Sequence, residues 1–223
     1  LLDRDVGRIV DLVEEQGIGE NTLIIFTSDN GTTHEGRGEP DLHIGGVDAL
    51  FFNSTLNLRV YKGSVYEGGL RVPCIVRLPG DFGACRVIDT PAWFPDIFPT
   101  MCDIAGIKKP DNLDGISLWK FLWQEASLSS RPSPILWVFP EYGGQMAVRM
   151  NDMKAVRRNL KASKAKWSPW EVYDLANDPA EKIDLAEKRP DIRASFNPAC
   201  RRIATPAPSL TQNFLSSKPL PPL

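Results

Sequence analysis

Apolar positions along the chain change their spacing several times, and each change marks an expected element. Leu2, Val6, Ile9, Val10 and Val13 recur at helical intervals, which predicts an amphipathic helix stopping near Gly17. Residues Thr22–Thr27 and Arg71–Leu78 are instead nearly continuous apolar and β-branched runs. The first run predicts a strand buried on both faces, as in a parallel sheet covered by helices, the second another strand, and helix followed by strand is half of a βαβ unit. Between them, residues 31–70 are rich in Gly, Asn and charge with little periodicity, the texture of a functional or mobile loop. Pro91 and Pro95 precede Ile97, Phe98, Met101 and Ile104, a short helix stopped by Gly106. Ser117 is placed to cap a further helix carrying Leu118, Phe121 and Leu122.

The texture changes near residue 126. Met146 to Arg158 holds two short strand-like runs around Asn151-Asp152, which predicts a hairpin. Trp170 to Leu175 supplies a third antiparallel strand, Asn177-Asp178-Pro179 a turn, and residues 180–188 are helical in composition. From Ser195 to Leu223 there are six prolines and no acidic residue, which excludes a regular helix or a central strand and predicts an extended, disordered tail. The expected architecture is therefore α/β. Residues 1–125 form part of a core, residues 126–194 a small α+β subdomain with an antiparallel sheet, and residues 195–223 a Pro-rich tail.

Composition narrows the function classes. Hydrophobic residues make up 42% and charged residues 24% of 223, ordinary globular values. Lys plus Arg number 26 against 28 Asp plus Glu, a net charge of -2, whereas a broad nucleic-acid footprint is basic. The longest apolar runs are strand-sized, far short of the roughly 18–20 residues of a membrane span. The four cysteines have no CxxC spacing and are too few for a disulfide framework. The chain opens on a helix face with no Met and no leader pattern, the start expected of a piece of a longer protein.

Candidate chemistry lies at the end of the first strand and in the loop after it. Asp29-Asn30 presents a carboxylate and an amide carbonyl at the carboxyl end of a strand, the edge where open α/β sheets bind ligands. Both are hard oxygen donors suited to Ca²⁺ or Mg²⁺, yet Ca²⁺ takes about six to eight oxygens, and Asp-Asn-Gly is equally a turn. Lys62, in a Gly-rich segment, is either an ammonium reaching an anionic ligand or a solvated surface charge. Glu67 reads as a second carboxylate, a loop holder or a helix cap. His34 and His43 are the only histidines. Either is suited to protonating a leaving group, though most loop histidines do not.

Taken together, the segments Thr27-Ser28-Asp29-Asn30-Gly31 and Lys62-Gly63-Ser64-Val65-Tyr66-Glu67-Gly68-Gly69-Leu70-Arg71-Val72-Pro73 resemble the sulfatase family of the alkaline phosphatase superfamily. Weaker echoes are Phe98-Pro99-Thr100 with Ala105-Gly106, Asp114-Gly115, and Tyr173-Asp174-Leu175 with Asp178-Pro179. Glu141-Tyr142-Gly143-Gly144-Gln145 through Lys154-Ala155-Val156-Arg157 looks like the arylsulfatase branch, and the likeness covers residues 1–193 in family order. The resemblance implies an alkaline-phosphatase-like α/β sandwich core followed by the small subdomain. It also implies hydrolysis of aryl or carbohydrate sulfate esters by a formylglycine, made from the Cys or Ser of a Cys/Ser-x-Pro-x-Arg motif, with Ca²⁺ or Mg²⁺ on the sulfate oxygens. Asp29 and Asn30 then match metal ligands, Lys62 a catalytic lysine contacting the sulfate, and His34 a substrate-facing histidine. The implied partner is a small sulfate ester or a sulfated glycan, and the implied location is extracytoplasmic (periplasmic, secreted or lysosomal).

The departures are as informative. None of Cys74, Cys85, Cys102 and Cys200 has Pro two residues later; Ser130 and Ser217 do, but Pro134 and Pro221 stand where Arg is required. The formylglycine motif is absent from these residues, as are the family's first Asp-Asp metal pair and its upstream lysine and histidine. The chain is therefore expected to be a C-terminal portion of a sulfatase, inactive alone and needing the N-terminal portion to fold fully. Alternatives are a non-catalytic anion-binding or chain-pairing fragment, and a related phosphatase or phosphodiesterase. The last ranks lower, because such enzymes usually bind two metals through additional His and Asp.

Overall fold

The computed structural model describes residues 1–33, 49, 52–79, 86–123, 131–162 and 167–196. In chain order the elements are α1 (Leu2–Glu15), β1 (Ile24–Thr27), α2 (Glu67–Leu70), β2 (Cys74–Arg77), α3 (Ile97–Ile104), α4 (Trp119–Trp123), β3 (Ile135–Phe139), β4 (Gln145–Met150), β5 (Met153–Arg158), β6 (Glu171–Asp174) and α5 (Pro190–Ser195). They fall into two compact units, Leu1–Asp29 with Val72–Leu128, and Asn30–Arg71 with Ser129–Leu223.

In the first unit, α1 ends as its sequence predicts. Gly17 takes φ +69, and the Gly17 and Ile18 amides donate to the Glu14 and Val13 carbonyls at 2.9 and 3.2 Å, a left-handed stop. β1 pairs antiparallel with β2, Ile24 opposite Arg77 and Thr27 opposite Cys74. This corrects the expectation of a parallel sheet covered on both faces: the neighbour of β1 runs antiparallel, and each β1 residue is only half-buried. A continuous apolar run reports that both faces of a strand carry apolar side chains; it does not encode the direction of the neighbour. No residue of α1 is buried, and an ion pair from Arg77 to Glu14 ties it to β2. Further along, the buried Asp96 carboxylate accepts from the Trp93 and Ile116 amides at 3.0 and 2.8 Å. Thr100 accepts from the Leu118 amide at 2.8 Å. Ser117 then receives the Trp119 amide at 3.2 Å, the expected cap of α4.

The second unit is built on one antiparallel sheet in the order β3-β4-β5-β6. The Asn151-Asp152 hairpin joins β4 to β5 with Met150 opposite Met153, and Asn151 takes φ +53, a conformation that asparagine tolerates. β6 adds to β5 with Met153 opposite Asp174. β3 is an edge strand that the hydrophobic pattern had not singled out. Its flanking Pro134 and Pro140 cost no ladder bonds at an edge. Side chains alternate across the sheet. Met146, Val148, Ala155 and Val172 pack with Leu160, Trp170, Ala186 and Phe196, while Ala147, Val156 and Tyr173 pack with Val65, Tyr66 and Leu175. The second face is therefore covered by part of the long Gly-rich loop.

Two further expectations are corrected here. Residues 180–188 form turns, because side-chain carboxylates capture backbone amides a helix would need. Asp178 accepts from the Lys182 and Ile183 amides, each at 2.7 Å, and Asp184 from the Ala186 amide at 2.9 Å, while Asp184 also takes the Val172 amide of β6 at 2.9 Å and ties the segment to the sheet. The tail expected to start at Ser195 also begins inside the fold: Ser195 closes α5 and Phe196 is fully buried, and residues 197–223 lie outside the described residues. Among the described residues no helix is long and apolar enough to cross a membrane.

Candidate active site

Asp29, two residues beyond β1, is exposed, and Asn30 after it is half-buried. The backbone that follows is clamped in the second unit. The Gly31 amide donates to the Gly69 carbonyl and the Lys62 amide to the Thr32 carbonyl, both at 2.9 Å. The approach is so close that a methyl group on Gly31 would lie 2.0 Å from the Gly68 oxygen. Residues 30–32 and 62–69 thus form one layer of backbone. The Lys62 side chain is exposed, and no ion pair occupies it among the described residues. His34 and His43 lie outside the described residues.

As donors, Asp29 and Asn30 fit Ca²⁺ or Mg²⁺ in kind and fall short in number, since two oxygens are a fraction of the shell. Among the described residues no cluster of three or more His, Cys, Asp or Glu side chains is placed to hold a metal. The pair would therefore supply part of a coordination shell.

Contacts of three kinds hold the Lys62 segment on the sheet. Gln145, at the start of β4, donates from Nε2 to the Gly63 carbonyl at 3.1 Å, and its Oε1 accepts from the Val65 amide at 3.5 Å. Beneath α2 lies a buried ion network. Lys154 Nζ donates to Glu67 Oε1 at 2.8 Å and faces Glu181 Oε1 at 2.9 Å, off the hydrogen-bonding direction. Glu181 Oε2 in turn accepts from the Glu67 amide at 2.6 Å, and Arg149 stands 3.8 Å from Glu67. Burial pushes the Glu181 carboxyl up, against the pull of Lys154. Glu67 is thus a loop holder, paired inside the protein.

The remaining contacts gather on Glu171. Its Oε2 accepts from the Tyr66 and Tyr173 hydroxyls at 2.5 and 2.6 Å, its Oε1 accepts from Arg158 at 2.9 Å, and Arg59 lies 3.9 Å over the Tyr66 ring. A cleft of about 660 Å³ opens here, lined in part by Arg59, Arg158, Glu171 and Tyr173. Both guanidinium groups are engaged by Glu171, which offsets part of their charge. Burial pushes the Glu171 carboxyl up, but the two phenol hydroxyls and Arg158 outweigh it and hold it below the usual carboxylate range. Burial and the same carboxylate push both phenols up.

A pH dependence follows. Unfolded, Glu171 titrates near about 4.3; folded, it titrates lower, so it contributes stability above the unfolded value and loses it as pH falls through the folded one. The melting temperature should drop on acidification below about pH 4, and Glu171→Gln should flatten that drop. Equal slopes for the two proteins would refute the assignment.

The Sulfatase family profile matches residues 2–107, and a second profile, described as N-sulphoglucosamine sulphohydrolase, C-terminal, matches residues 60–196. The chain belongs to the sulfatase family. It is 31% identical over 210 residues to a sulfatase of Formosa agariphila, covering 85% of this chain and 34% of that protein. It is 36% identical over 130 residues to the steryl-sulfatase of Mus musculus, covering 57% of this chain and 20% of that protein. Among solved structures, Ps i-CgsB in complex with k-i-k-neocarrahexaose superposes with a TM-score of 0.71 at 28% identity, covering 90% of this chain and 40% of that one. The fold is accordingly the alkaline-phosphatase-like α/β fold of sulfatases, and the chain spans about a third of the Formosa protein's length.

Gln145, Lys154 and Glu181 were not foreseen as parts of the site's support. One signal was available for Lys154. It alternates with Val156 along β5, and a charged residue in phase with core positions needs a buried partner.

Proposed function

We propose that the whole protein is a sulfuric ester hydrolase acting on aryl or carbohydrate sulfate esters, and that this chain contributes its sulfate-contacting lysine and two of its metal ligands. The observation that supports this best is the backbone clamp between Lys62 and Thr32 and between Gly31 and Gly69, which holds the Lys62 segment against the loop following Asp29. In sulfate-ester hydrolysis negative charge grows on the leaving oxygen while the sulfate oxygens stay anionic, and fixed donors aimed at them lower the barrier. Lys62 brings a compact ammonium with three rotatable donors and finds no competing carboxylate among the described residues. The Asp29 carboxylate and Asn30 amide oxygen would hold part of the shell of a divalent cation, which when bound withdraws charge from the sulfate oxygens. His34 would protonate the leaving group. The formylglycine motif is not in this sequence, so this chain alone is expected to turn over no aryl sulfate. A sulfated sugar is a natural occupant, given the oligosaccharide complex of Ps i-CgsB.

Calorimetric titration of the chain with inorganic sulfate in Ca²⁺ tests the reading. Lys62→Ala should weaken sulfate binding by about tenfold, the loss of a charged hydrogen bond, with the melting temperature unchanged. Equal affinities would overturn the role of Lys62.

A further inference from the structure

Tyr142 is an aromatic residue that the fold holds in place and leaves open. It lies three residues beyond the end of β3, is 76% exposed, and has its backbone at φ +49. A bulky side chain stays in the left-handed region only where its surroundings impose it, and such positions gather at functional sites. Here the imposition is visible. The Gly144 amide closes a turn on the Glu141 carbonyl at 2.9 Å, and the Leu160 and Lys161 amides bind the Gly144 and Gly143 carbonyls at 3.1 and 2.9 Å.

The ring itself is positioned from two sides. Its centroid is 6.0 Å from that of Phe139, tilted by 32°. It also lies against Gly63, where a methyl group would fall 2.6 Å from Cε2, so only glycine permits the approach. Gly63 directly follows Lys62 in the chain, and Gln145 holds its carbonyl. Tyr66 and Tyr173, which serve the packing of the same unit, are 3% and 2% exposed with their hydroxyls on Glu171. Tyr142 has none of those features. Its ring is anchored by its edge and neighbours, and most of its surface faces solvent beside the lysine segment.

We propose that Tyr142 is the ring platform of the site, a specificity-determining residue that stacks on the ring whose sulfate Lys62 engages. This rests on the reading of Lys62 as the sulfate contact. The ligand chemistry is a flat, C–H-rich or π face carrying a sulfate ester: an aromatic ring or the C–H face of a pyranose. Either meets the electron-rich face of the tyrosine ring favourably, whereas a short alkyl sulfate offers no such face.

The test is calorimetric titration of the 223-residue chain in Ca²⁺ with inorganic sulfate, methyl sulfate, phenyl sulfate and glucose 6-sulfate. At least one ring-bearing ester should bind about fivefold more tightly than methyl sulfate, the range of an aromatic stacking pair. Tyr142→Asn, which removes the ring and suits the left-handed backbone, should abolish that preference and leave inorganic sulfate affinity unchanged. Tyr142→Phe should keep the preference, since the ring rather than the hydroxyl makes it. Loss of preference for phenyl sulfate alone identifies an aryl ligand, and for glucose 6-sulfate alone a sugar. A ring preference that survives Tyr142→Asn, or no preference in the unaltered chain while sulfate still binds, overturns the platform and leaves Lys62 standing. Failure of the unaltered chain to bind inorganic sulfate overturns the Lys62 reading, and the platform with it.

Discussion

Replacing Lys154 with alanine is expected to lower the unfolding free energy by about 3–5 kcal/mol, the cost of breaking a buried ion pair by removing one partner. Lys154 has no exposed surface, and the Glu67 and Glu181 side chains it joins are 4% and 0% exposed. Without the ammonium, two carboxylates face each other in the interior, and the ion-pair partner left to them among the described residues is Arg149, 3.8 Å from Glu67. Folding must then either protonate one carboxyl or admit water. The network's net worth is a separate quantity, because desolvation offsets most of the attraction. The triple variant Lys154→Met, Glu67→Gln, Glu181→Gln should therefore recover most of what Lys154→Ala loses. Urea unfolding of the three proteins measures both effects. A loss below about 1 kcal/mol for Lys154→Ala, the size of a surface pair, would mean that the network is solvated.

Gly31→Ala should be nearly as damaging, at about 3 kcal/mol, the upper end of overpacking. The new methyl group would lie 2.0 Å from the Gly68 oxygen and 3.0 Å from the Gly69 Cα. Both obstacles are backbone, which cannot rotate away as a flexible side chain does. Relief requires parting the two strips of chain, and this breaks the Gly31–Gly69 and Lys62–Thr32 hydrogen bonds together. Stability and sulfate affinity should thus fall together in Gly31→Ala, in contrast to Lys62→Ala, where only affinity falls. Chemical denaturation paired with calorimetry separates the cases. Unchanged sulfate affinity in a destabilised Gly31→Ala protein would show that the clamp does not place Lys62.

Elements with local causes were readable from sequence. The stop of α1 at Gly17, the Ser117 cap and the Asn151-Asp152 hairpin each depend on residues within a few positions of one another. What escaped depends on partners far along the chain. The direction of β1's neighbour is set by β2, some fifty residues on in the numbering. The turns at residues 180–188 form because Asp178 and Asp184 capture amides of Lys182, Ile183 and Ala186, a competition that helical composition does not register. At the site, Asp29, Asn30 and Lys62 were nameable from the sequence as candidate chemistry only. Their support was not, because Glu67 meets Lys154 and Glu181 only after the sheet has assembled. Glu67 itself had three open readings, and only its burial against Lys154 separates them.

The fastening of Glu67 to Glu181 also has a consequence in time. The two residues are 114 positions apart, and ribosomes add about 5–20 residues per second. During synthesis the Lys62 segment therefore exists for roughly 6–23 s before the last residue of its buried anchor is made. For most of that interval Val65 and Tyr66, which end on the inner face of the sheet, have no complete sheet to cover. The nascent chain thus carries an apolar, glycine-rich segment in waiting, and chaperone capture would be concentrated there before β5 and β6 are made.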